Sequence, residues 1–246
     1  MSTSDFQLVN HNNNFFVYAD DCYLLIAKTN AEPYANEIAN FNVWALAKGL
    51  KINNNKTKVM LCSTTRSKID RDEMKASLVD INLVHDINIL GVTITDNLSF
   101  SNHIDKVISK CNKALYANYI LTSYGLDCNF RRDIFYALLI SQINYCIAAW
   151  YGFSKQQDKI RLGRLIRRGQ KMNFLSADIS LDSLVFQHQR KLFNDVICKS
   201  IHVLHYLLPV GKDVKYYMRN KSHHFCLPPM TNPHDTHNFL FYMLYL

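Results

Sequence analysis

The sequence predicts an α+β fold, with a strand-rich part to about residue 98 followed by an α-helical part. Three observations predict it. Phe15–Tyr18 and Cys22–Ala27 are aromatic and aliphatic runs around an acidic turn, which is the pattern of a β-hairpin. Short strand-like runs recur at Lys58–Ser63, Ile81–Val84 and Ile87–Ile94. Beyond Phe100 the period changes, and Ile104, Val107, Ile108, Cys111 and Leu115 fall on one face of a helix. The regions are therefore residues 1–98, residues 99–207 and an irregular tail, 208–246.

The elements follow in order. After the hairpin, Thr29 or Asn30 caps a helix, Pro33 fits its first turn and Gly49 stops it. Tyr34, Ile38, Phe41 and Ala45 form the apolar face of that helix. Residues 64–80 are polar and read as a loop. Further helical patterns cover about 130–150, 155–174 and 182–206. Pro209, Pro228, Pro229 and Pro233 interrupt the tail.

A chain of 246 residues has room for one or two domains with a real core. Its net charge of +8 favours an anionic partner, although charge alone identifies none. The seven cysteines are scattered and include no CxxC, which argues against a disulfide framework and for an intracellular setting. The first twenty residues are polar and contain no secretory h-region. Ile134–Phe153 lacks charge over a bilayer-spanning length, but Ser141, Gln142 and Asn144 lie in its middle. A core helix, and no membrane partner, is the expectation.

The hairpin turn carries the chemistry. Asp20 and Asp21 place two carboxylates in one small volume, where they repel unless a divalent cation lies between them. A polymerase uses such a site to activate a 3′ hydroxyl and steady the leaving phosphate. Taken as a dipeptide alone, the pair reads better as a hydrated turn. His223, His224, Cys226, His234 and His237 are zinc ligand types, but their spacing fits no zinc-finger pattern.

The neighbours of the acids change the balance. Tyr18-Ala19-Asp20-Asp21 before an apolar strand resembles the active-site hairpin of reverse transcriptases. Gly49-Leu50-Lys51-Ile52-Asn53-Asn54-Asn55-Lys56-Thr57 resembles the G-L-x-x-N-x-x-K-T element that follows the palm helix. Leu90-Gly91-Val92 resembles the primer-grip hairpin, and Leu98–Ile104 resembles the start of the thumb, marked by His103. Tyr145–Gly152 and Asn238–Tyr245 carry weaker marks of the same elements. The ordered set resembles a non-LTR (LINE-type) retrotransposon reverse transcriptase, from part of the palm through an all-α thumb.

The resemblance implies roles. Asp20 and Asp21 would be catalytic ligands of Mg2+, and Lys56 would approach the incoming nucleotide. Lys56 reads equally well as a solvated lysine before a strand. Leu90, Gly91 and Val92 would place the primer end, and a glycine bulge explains Gly91 nearly as well. Gly49 reads as a helix C-cap and His103 needs no function. The partners would be an RNA template and a DNA primer.

Lys155–Lys171 is the strongest electrostatic signal. Lys155, Lys159, Arg161, Arg164, Arg167, Arg168 and Lys171 face a single acid, Asp158. On a helix, Arg161, Arg164, Arg168 and Lys171 share one face, while Leu162, Leu165 and Ile166 turn inward. A helix tracking a nucleic-acid backbone has this pattern, and a merely soluble helix face is the alternative.

The sequence also departs from the family. By resemblance, a first catalytic aspartate, the fingers and a Gln-Gly segment belong upstream of the hairpin, and Ser4-Asp5-Phe6 resembles the piece just after Gln-Gly. Asn88-Ile89, Cys22 and Phe241-Tyr242 stand where the family usually has other residues. The expectation is a polymerase fragment that does not extend primers by itself. Its rival is a non-catalytic nucleic-acid-binding module.

Overall fold

The computed structural model describes residues 5–27, 34–62, 82–211, 223–232 and 234–246. Thr29, Asn30, Pro33 and the loop 64–80 lie outside the described residues. The fold is α+β. The chain divides into two units, Met1–Ile87 and Asn88–Leu246.

In the first unit, β1 (Asn14–Tyr18) and β2 (Asp21–Leu25) pair antiparallel, with Tyr18 opposite Asp21. Alternation puts Phe15, Val17, Cys22 and Leu24 on one face of the hairpin. Helix α1 (Tyr34–Ala47) follows. The rings of Phe6, Phe15, Phe41 and Trp44 make its aromatic core; Phe6 and Phe15 lie 4.6 Å apart, and Phe41 stacks on Trp44 at 5.6 Å. Gly49, at φ +70°, ends α1. The amides of Gly49 and Leu50 return to the Leu46 and Ala45 carbonyls, a Schellman closure. The strand expected over Lys58–Ser63 is β3, only Lys58–Val59, and it pairs in parallel with β4 (Asn82–Leu83).

The strand expected over Ile87–Ile94 is in fact a hairpin, β5 (Asp86–Ile89) and β6 (Val92–Thr95). The chain reverses at Leu90 and Gly91, both at positive φ (48° and 88°).

The second unit is built on α2 (Ser101–Ser123). The apolar stretch 134–153 is not one helix. It runs through α3 (Cys128–Phe135), a π-helical turn (Tyr136–Ile140), α4 (Ser141–Asn144) and α5 (Ile147–Trp150). Tyr145 leaves the helical region and Cys146 takes a left-handed φ of 50°, which breaks the helix. Leu139, Ile143, Ile147 and Trp150 from this stretch are fully buried against Ile104, Cys111, Leu162 and Ile166. No helix among the described residues is long and apolar enough to cross a membrane.

Helices α6 (Gln156–Lys171) and α7 (Leu181–Cys198) complete the core, and a reciprocal Ser180–Ser183 capping box starts α7. The tail, expected to be irregular, contains helix α8 (Phe239–Leu244). Asn238 caps it, and Leu240, Met243 and Leu244 bury against Phe193 of α7.

Candidate functional site

The carboxylate pair sits at the tip of the β1–β2 hairpin. Register leaves Ala19 and Asp20 as the loop, with Ala19 at φ +54°, an uncommon conformation for a residue with a side chain. Asp20 and Asp21 are both exposed. The Tyr23 hydroxyl donates to Asp21 Oδ2 at 3.4 Å. Cys22 is exposed as a residue, yet desolvation of its thiol, with the Asp21 and Asp20 charges, pushes its pKa up. Two hard oxygen donors suit Mg2+. No group of three His, Cys, Asp or Glu side chains gathers anywhere among the described residues. The pair offers two exposed carboxylates at the turn, with the Tyr23 hydroxyl on one of them.

Lys56 is exposed in the turn before β3, where the Lys56 and Thr57 amides both donate to the Asn53 carbonyl at 3.0 Å. A residue the sequence reading missed lies nearby in the chain. Glu37, on the inner side of α1, is buried and accepts from the Val9 amide (3.1 Å) and from Asn13 Nδ2 (2.7 Å). Asn13 Oδ1 in turn accepts from the Ala27 amide at 3.1 Å. These bonds satisfy a buried carboxylate and fix the hairpin's root, so Glu37 is structural.

In the second unit, the Leu90-Gly91-Val92 turn is locked from outside. The Tyr145 hydroxyl donates to the Leu90 carbonyl at 2.6 Å, and Asn88 Oδ1 accepts from the Gly91 amide at 2.8 Å. A Cβ on Gly91 would come within 3.3 Å of the Tyr145 ring. Positive φ and this close approach explain the glycine. His103 is buried, receives the Thr93 amide at Nδ1 (3.4 Å) and packs edge-on to Trp150. Burial, then Lys106 and Lys110, pushes its pKa down, so it is a neutral core histidine.

The basic helix forms as its pattern requires. Leu162, Leu165 and Ile166 are buried, and Arg161, Arg164, Arg167, Arg168 and Lys171 are exposed. Its cations are not equivalent. Arg161 holds Asp105 of α2 at 2.7 Å and Asp158 at 3.0 Å. Asp158 is buried and also accepts from the Ser101 hydroxyl at 2.9 Å. Lys159 lies over the Tyr151 ring at 4.6 Å. Arg168 donates to Asn112 Oδ1 of α2 at 3.1 Å.

Asp105 and Asp158 are the only acids in α2 and α6. One arginine binds both. No acid of either helix is left to neutralise Arg164, Arg167, Arg168 and Lys171. Along α2, where Arg161 of α6 meets it, lies an open groove of about 580 Å³, lined by Asp105, Ile108, Ser109, Asn112, Lys113, Tyr116 and Arg161. Arrayed cations beside an open groove can follow a chain of phosphates.

No protein-family model matches the chain, and no significant match is found among curated proteins or solved structures.

Proposed function

We propose that this chain grips nucleic acid through α6, as the palm-to-thumb part of a LINE-type reverse transcriptase, and does not extend a primer by itself. The observation that carries the reading is the charge distribution on α2 and α6. Both acids are spent on Arg161, and Arg164, Arg167, Arg168 and Lys171 are exposed with no acid of either helix paired to them. A helix needing only solubility gains nothing from that separation, whereas a polyanion is attracted by it.

Two features support the polymerase ancestry. Asp20 and Asp21 stand side by side at an exposed hairpin tip whose first loop residue holds a left-handed conformation. The outer face of that hairpin leaves Phe16, Tyr18 and Leu25 about half exposed or more, an apolar surface of the kind a larger palm sheet covers.

The test is binding and primer extension in the same samples, with template–primer and magnesium at low salt. Binding without extension, unchanged in the Asp20→Ala/Asp21→Ala variant, is the expected result. Extension abolished by that variant would make the chain a working polymerase and overturn the second half of the reading.

A further inference from the structure

The α2–α6 groove has chemistry that phosphate binding does not use. Its floor is apolar at Ile108 and at the ring of Tyr116, which is 67% exposed. Ser109 and Asn112 add hydrogen-bonding groups. Asn112 spends its carbonyl oxygen on Arg168, which leaves its amide nitrogen to donate.

The cations are placed to match. Arg161–Asp105 and Arg168–Asn112 span the same sequence separation, 56 residues, so α2 and α6 run in the same direction in fixed register. Arg164 and Lys171 each follow one of these two arginines by three residues, about one turn further along α6. Lys113 lines the groove itself. A flat aromatic face with donors beside it and cations alongside matches a nucleobase on a phosphodiester chain.

Building on the α6 reading above, we infer that this groove receives one unpaired base of a single-stranded nucleic acid, stacked on Tyr116, with its flanking phosphates on Lys113, Arg164 and Lys171. A base inside a duplex offers only its edges and cannot lie face-on against the ring. The charge row therefore accepts either form, and the groove selects the single strand.

The test uses the full chain and oligonucleotides with 2-aminopurine at one internal position. Binding should quench its fluorescence. Tyr116→Leu should weaken single-strand binding about tenfold and leave duplex binding unchanged, whereas Tyr116→Phe should keep both. Tyr116 is exposed, so thermal unfolding of both variants should match the parent chain. Adenosine monophosphate should compete poorly, because it lacks the flanking phosphates. If single strands bind equally well to Tyr116→Leu, the base site is wrong and the α6 reading stands. Competition by the free nucleotide at the oligonucleotide's own concentration would assign the groove to nucleotides and overturn the inference. If neither form binds at low salt, the α6 reading itself fails.

Discussion

Removing an acid should strengthen this protein's hold on nucleic acid. Asp105 pairs with Arg161 at 2.7 Å, and the two side chains are 56% and 42% exposed. A pair that open contributes about 0–1 kcal/mol, so Asp105→Ala should fold normally. Arg161 keeps its second anchor, Asp158, at 3.0 Å. The loss of a carboxylate lining the groove removes a repulsion on any bound phosphate. At roughly 8 Å in water that repulsion is about 0.5 kcal/mol, or about twofold in affinity. Screening should reduce the gain as salt approaches about 0.15 M. If the released arginine also meets a phosphate, the salt slope for a single strand should steepen by about 0.7. Fluorescence anisotropy of a labelled oligonucleotide, read from about 50 to about 200 mM salt, measures both quantities. Equal or weaker binding at every salt concentration, with the fold intact, would refute the charge argument.

Three further outcomes follow from the same geometry. Arg161→Ala should lower stability in denaturant by about 1–3 kcal/mol, because it strips a charged partner from buried Asp158, while changing the salt slope of binding little. His103 has a folded pKa held below 6.5 by burial and by Lys106 and Lys110. The unfolded chain therefore binds its proton first, and stability should fall as pH drops from about 6.5 toward the folded value, by at most about 1.4 kcal/mol per pH unit; His103→Gln should flatten that slope. Cys111 is buried with its thiol pushed up to about 12, so mass spectrometry after brief alkylation should find it unmodified in the native protein while the exposed cysteines react.

What was legible in the sequence were the local periods. The YADD hairpin followed from two apolar runs around an acidic turn, and the buried face of α6 followed from the spacing of Leu162, Leu165 and Ile166. Long-range partners were not legible. The reversal at Leu90-Gly91 lacks the usual Asn-Gly turn, so Ile87–Ile94 read as one strand; its left-handed Leu90 is held by Tyr145, 55 residues away. Arg161 looked like its neighbours on the face, because nothing local marks Asp105 as its partner. Glu37 carries no local mark of its burial, because the groups that satisfy it, the Val9 amide and Asn13 Nδ2, come from more than twenty residues away. The position of Asp20 and Asp21 at a hairpin tip was a local signal, whereas the Tyr23 hydroxyl bond to Asp21 depends on the strand geometry. In the tail, prolines obscured α8, whose Asn238 cap and apolar run are a local signal that finds the helix.

The most direct test of the central claim is a salt titration of nucleic-acid binding by the full chain beside an Arg164→Ala/Arg168→Ala/Lys171→Ala variant. The account predicts binding that weakens steeply with salt, and a variant whose single-strand slope is shallower by about 2, from three lost phosphate contacts of about 0.7 each. Binding by the folded variant that matches the parent chain, in affinity and in slope, would contradict it.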